Sequence, residues 1–216
     1  MLSATIVIDY QNVQLVALNL FNPKIGNHQK YLDPLKFSKT LIEKRNRKQK
    51  HSLPLSYLNK ILVYRGLPSF IYDKKAHERN LRQAEKWEKN RLVEVHHRPL
   101  KYFFEENTLD NFTLNRIGKK TVRGKREKGI DVLCALALVR EARTSDLVIL
   151  ASQDTDLIPA IEEAIALKQA KIETFSWYSK SSRRSFELRS PVAPTWNTRL
   201  GEEEYFQCLD ETTYGV

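Results

Sequence analysis

Thr5-Ile6-Val7-Ile8 is an unbroken β-branched run that stops on Asp9. A run of this kind, with no polar alternation, predicts a central parallel strand covered on both faces. Four more segments read as strands: Lys60–Tyr64, Leu92–His96, Leu147–Leu150 and Lys171–Phe175. Helical patterns fill the gaps between them. Asp33-Pro34 opens one helix, with Leu35, Phe37, Leu41 and Ile42 on its apolar side and Lys36, Lys39, Lys44, Arg45 and Arg47 on a basic exposed face. Asp73–Asn90 forms a second helix, with Ala76, Leu81, Ala84 and Trp87 turned inward. Ile130–Ala142 is apolar almost all round and predicts a buried helix with Asp131 in its first turn. Strands alternating with helices give an α/β fold, a doubly wound sheet of central parallel strands with helices on both faces.

Two stretches break the pattern. Leu18–Leu32 is Asn-rich and loop-like, and residues 98–128 read as an inserted loop or hairpin carrying Tyr102, Phe103, Phe104 and Phe112 ahead of a basic run. Residues 1–178 therefore form the main domain. Residues 179–216 form a C-terminal extension that packs on the same domain or is partly flexible, with Pro191 and Pro194 breaking regular structure.

Composition narrows the function. Lys and Arg outnumber Asp and Glu by 36 to 26, and the resulting charge of +10 favours a polyanionic partner. The basic residues concentrate in 36–50, 116–128 and 180–189. No apolar run approaches the roughly 18 residues of a membrane span, and no leader-like segment precedes the first strand, so a cytoplasmic protein is expected. Cys134 and Cys208 give neither a disulfide framework nor a metal pattern, and His96-His97 lacks a third ligand at zinc spacing.

The acidic residues are placed differently. Asp9 ends the first strand and Ser152-Gln153-Asp154-Thr155-Asp156 follows the fourth. If those strands are neighbours, the carboxylates meet at the sheet's carboxyl edge, where ligands bind in open α/β sheets. Asp131 reaches that edge only through the tertiary arrangement. Grouped carboxylates repel unless a cation holds them, and all-oxygen donors suit Mg²⁺ or Mn²⁺. Asn12, three residues after Asp9, is placed to support it. The plainer reading is that Asp154 or Asp156 caps the following helix and that Asp131 complements a helix dipole. Glu127, one turn before Asp131, reads as a solvated charge in a basic loop, the alternative being a further carboxylate ligand.

Ile6-Val7-Ile8-Asp9-Tyr10-Gln11-Asn12-Val13, Lys128-Gly129-Ile130-Asp131-Val132 and Leu147 to Pro159, with its Ser152-x-Asp154-x-Asp156, resemble in that order the three motifs of the NYN domains, PIN-like ribonucleases. The resemblance covers about residues 1–178. It implies a PIN-like fold and a metal-dependent endoribonuclease, with Asp9, Asp131, Asp154 and Asp156 as catalytic metal ligands for Mg²⁺ or Mn²⁺. Asn12 and Ser152 are the supporting residues, and Lys119, Lys120, Arg123, Lys125, Arg126 and Lys128 are expected to bind single-stranded or structured RNA. Many members carry a further Asp where this chain has Ala137, and Gln153 replaces a frequent Gly. The alternative is a catalytically weakened RNA-binding or protein-interaction module; a homodimer or regulatory protein partner stays open.

Overall fold

In the computed structural model, β1 (Leu2–Asp9) runs straight into α1 (Tyr10–Phe21), and the chain continues through β2 (Tyr31–Leu32), α2 (Pro34–Lys48), β3 (Ser56–Leu67), α3 (Lys74–Trp87) and β4 (Val93–Pro99). A hairpin of β5 (Lys101–Phe104) and β6 (Val122–Arg126) precedes α4 (Ile130–Glu141), β7 (Leu147–Ala151), a 3₁₀ turn at Thr155–Leu157 and α5 (Ile158–Ala166). The remainder is β8 (Lys171–Ser179), β9 (Arg184–Ser185), β10 (Trp196–Leu200), α6 (Glu202–Gln207) and β11 (Leu209–Asp210). The structure describes residues 1–21, 30–48, 54–104, 122–180, 184–185 and 187–215.

The main sheet has the order β10-β8-β7-β1-β3-β4, and all five pairings along it are parallel. This is a doubly wound α/β fold. All five strands expected from sequence are present. From β1 the chain builds outward through β3 and β4, then returns to the other side of β1 for β7, β8 and β10. The β1–β7 boundary is therefore the topological switch point, where the loops leaving adjacent strands diverge and open a crevice.

Strand periodicity divides the core into two layers. Ile6 and Ile8 of β1, Ile61 and Val63 of β3 and Phe175 and Trp177 of β8 face one side, with Phe37 and Leu41 of α2, Trp87 of α3 and Tyr205 of α6. Val7, Leu62, Val148 and Leu150 face the other, against Cys134 and Leu138 of α4 and Ile161 of α5. The C-terminal segment belongs to this body: β10 extends the sheet alongside β8, and Tyr205 is fully buried.

Three local expectations need correction. Leu18–Phe21 is the last turn of α1, not loop, because Val13, Ala17 and Leu18 supply a buried stripe at helical spacing. Leu81 is 44% exposed; the inward face of α3 carries Ala76, Asn80, Gln83, Ala84 and Trp87, one residue out of phase with Leu81. Arg45 is buried rather than on a basic surface. Its Nε and Nη2 donate to the two carboxylate oxygens of Glu173 on β8 at 2.7 and 2.9 Å, and its Nη1 donates to Ser56 Oγ at 3.1 Å. Both side chains of that pair are at 0% exposure.

Removing one member of such a pair strands a buried charge, which costs more than the intact pair contributes. Glu173→Leu is expected to lose about 3–5 kcal/mol in urea unfolding, and Arg45→Met/Glu173→Leu to be less destabilised than either single variant. Additive losses would show that the two side chains act independently.

Candidate functional site

Asp9, only 5% exposed, ends β1 and is the strand's one charged side chain. In register, Ile8 lies beside Ala151 of β7, so Asp9 and Ser152 emerge together at the switch point. Ser152 Oγ donates to Asp9 Oδ2 at 3.2 Å, and Asn12 N–H donates to Asp9 Oδ1 at 3.3 Å. The Asn12 side chain also crosses the crevice, where Gln153 N–H donates to its Oδ1 at 2.8 Å. Asn12 and Ser152 thus fix Asp9 from both strands.

Asp154 follows at the same edge. Its N–H donates to Ser152 Oγ at 3.2 Å, and its Oδ1 accepts from Asp156 N–H at 3.0 Å as the cap of the 3₁₀ turn. Asp154 therefore does cap, as the plainer reading expects, and its charge also acts on Asp9. Asp156 stands exposed on that turn. Gly129, with φ of +79°, turns the chain into α4 and places Asp131 in its first turn, from which its charge reaches Asp9.

Burial raises the Asp9 pKa to about 6; the bonds from Asn12 and Ser152 oppose that, while Asp154 and Asp131 add to it. Among the described residues, Asp9, Asp131, Asp154 and Asp156 take part in no ion pair, and no three carboxylate, histidine or cysteine side chains converge closely enough to share an ion.

Glu127 is not the solvated charge expected from sequence. Its carboxylate accepts the N–H of Gly66 at the end of β3, and burial, with Asp9 adding to it, raises its pKa to about 7. Gly66 is needed there, because an added Cβ would stand 2.8 Å from Glu127 Cγ. The sequence signal was present: Glu127 sits one turn ahead of Asp131. Arg65, next to Gly66, went unremarked. It is 7% exposed, stacks over Tyr10 at 4.6 Å and Trp87 at 5.2 Å, and donates to Gln83 Oε1 at 3.0 Å. An Arg extending an apolar strand, answered by Gln83 on the inward face of α3, was the available clue.

Arg123, Lys125 and Arg126 lie exposed on β6, with Lys128 just beyond it. Lys125 pairs with Asp73, and Arg126 lies 5.0 Å above the Phe103 ring. Lys119, Lys120 and Phe112 fall outside the described residues. His96 stacks on Tyr64 at 4.7 Å, while burial, with Arg65 second, lowers the His97 pKa to about 4. Ala137 is fully buried in the α4 layer.

Because Asp9 titrates higher in the folded than in the unfolded chain, folding retains a proton that the unfolded chain loses between about pH 4 and 6. Stability from this group falls as pH rises through that window and stays low above it. Asp9→Asn keeps the acceptor for Asn12 and removes the charge. In chelator at pH 8 it is expected to stabilise the protein by about 1–3 kcal/mol, seen as a Tm several degrees higher, with a smaller gain at pH 5. A lower Tm at pH 8 would contradict this assignment.

No family model and no curated protein matches the chain. Among solved structures it is similar to a Vibrio parahaemolyticus protein of unknown function, at 16% identity over 81% of this chain and 80% of that one, with a TM-score of 0.45. No helix among the described residues is long and apolar enough to cross a membrane.

Proposed function

We propose that this chain is a metal-dependent endoribonuclease of PIN-like architecture, acting at the crevice between β1 and β7. One observation carries the reading: Asp9 is buried at the switch point, under the charges of Asp131 and Asp154, and among the described residues no cationic side chain forms an ion pair with it. A carboxylate is costly in that position unless a cation occupies it in the working state.

The donor set fits a hard divalent ion. By donor chemistry rather than by present spacing, Asp9, Asp131, Asp154 and Asp156 offer only oxygen, which suits Mg²⁺ or Mn²⁺. When bound, such an ion supplies an activated water and neutralises charge on a phosphodiester. The chain's own residues do the rest. Asn12 and Ser152 hold the Asp9 carboxylate in a fixed orientation, and the Asn12–Gln153 bond keeps the β1 and β7 loops in register. Arg123, Lys125, Arg126 and Lys128 supply the basic rim for an RNA backbone, and Lys119 and Lys120 extend that series in sequence.

A second reading rests on Ala137. The site resembles the family's except that an apolar, fully buried residue stands where many members have a further carboxylate. A weakened enzyme that binds RNA, or an interaction module, would have that composition.

Asp154→Asn separates the readings, because Asn retains the Oδ1 cap of the 3₁₀ turn while losing the charge. With Mg²⁺ or Mn²⁺, wild type is expected to cleave mixed RNA and chelator to stop it; the variant should lose on the order of 100-fold or more in rate at unchanged Tm. Cleavage at the wild-type rate by Asp154→Asn would remove the catalytic assignment. RNA binding without turnover in the wild type would favour the second reading.

A further inference from the structure

Beside the acidic crevice lies a cavity of about 310 Å³ between α1, α3, the end of β3 and the β5–β6 hairpin. Tyr10 and Gln11, which directly follow Asp9, line it, as does Glu127, on whose carboxyl the Asp9 charge acts. Several of its polar groups are already committed. Tyr10 Oη donates to Leu32 O, and Gln14 bridges Lys30 O and Leu32 N–H. Three are not: among the described residues, the buried Nε of Arg65, the buried Nε of Arg79 and the Oδ1 of Asn80 have no hydrogen-bond partner. Arg65 and Asn80 are themselves 7% and 5% exposed. Buried donors and acceptors of this kind are expensive without a partner.

The mixture is informative. Two guanidinium donors, with Lys125 and Arg126 at the rim, call for an oxyanion. Asn80 Nδ2 donates to Ala76 O, so its Oδ1 remains an acceptor and calls for a hydroxyl or amino donor on the same ligand. Pro68 and Leu100 also line an adjoining groove of about 420 Å³ with Phe70, Tyr72, Tyr102 and Phe104. Tyr72 packs against Tyr102 and Phe104 at 5.2 and 5.1 Å yet is 44% exposed, and Phe70 is 54% exposed. Exposed rings beside a basic pocket are how single-stranded nucleic acids are held.

We infer that the cavity is a nucleotide subsite: Arg65 and Arg79 bind a phosphate, Asn80 Oδ1 accepts from the sugar or base, and the Tyr72 shelf stacks a base. Its identification as part of an RNA path rests on the nuclease reading above; the subsite itself does not require cleavage.

The test is calorimetric binding in chelator. The probes are adenosine 5′-monophosphate, adenosine, and short oligoadenylates with and without a 5′-phosphate. Wild type should bind the monophosphate and discriminate against adenosine. Arg65→Lys and Arg79→Gln should each weaken that binding about tenfold or more, and Tyr72→Ala should weaken oligonucleotide binding. Variant effects on oligoadenylates alone, irrespective of the 5′-phosphate, place an interior nucleotide in the subsite; effects on the monophosphate and the 5′-phosphorylated chain place a free or terminal one. Unchanged affinity in Arg65→Lys and Arg79→Gln at wild-type Tm, or equal binding of adenosine and its monophosphate, overturns the subsite. Because every arm omits metal, a failed cleavage assay leaves this result standing.

Discussion

The fold depends on the burial of β1 from Ala4 to Asp9. It pairs with β3 on one edge and β7 on the other, and its faces are sealed by α2 and α3 on one side and by α4 and α5 on the other. A strand with no solvent-facing side carries no charge along its buried length, and the first charged residue it offers stands where the layers stop. Asp9 is that residue. The parallel alignment of β1 with β7 then brings Ser152 and Asp154 to the same edge, since parallel strands end on the same side.

The same edge explains the placement of a second set of groups. β3 runs past Asp9 in register, so Arg65 and Gly66 project beyond the point where β1 has become helix. Arg65 is covered by Tyr10 and Trp87 and anchored by Gln83, while Glu127 is drawn against the Gly66 backbone. A buried cation and a buried carboxyl thus stand on one flank of Asp9, separated from the Asp154 turn on the other. Burial raises the pKa of both Asp9 and Glu127, and neighbouring carboxylates add to it.

Stability and site placement use different polar devices. Glu173 is also a carboxylate in the sheet, yet it is matched by a bidentate Arg45 and by Lys171 at 3.0 Å. Asp210 is matched by Lys86 and by Trp87 Nε1. These pairs tie α2 to β8 and the C-terminal segment to α3. Among the described residues Asp9 accepts only from neutral donors, and that contrast is what supports the proposed ligand site at the β1–β7 edge.

Local sequence was enough for the five central strands, for the helix started by Asp33-Pro34 and for the placement of Asp9 at a strand end, because each follows from periodicity and capping over a few residues. It was enough, too, to order Asp9, Asp131 and Asp154 as candidates. It could not decide that β1 and β7 are neighbours, that Arg45 turns inward to Glu173 across 128 positions of chain, or that Glu127 and Arg65 flank the crevice. Those facts depend on contacts between residues far apart in the chain. A charged side chain carries no local sign of whether burial will be offset by a partner, and only the packed sheet supplies or withholds one.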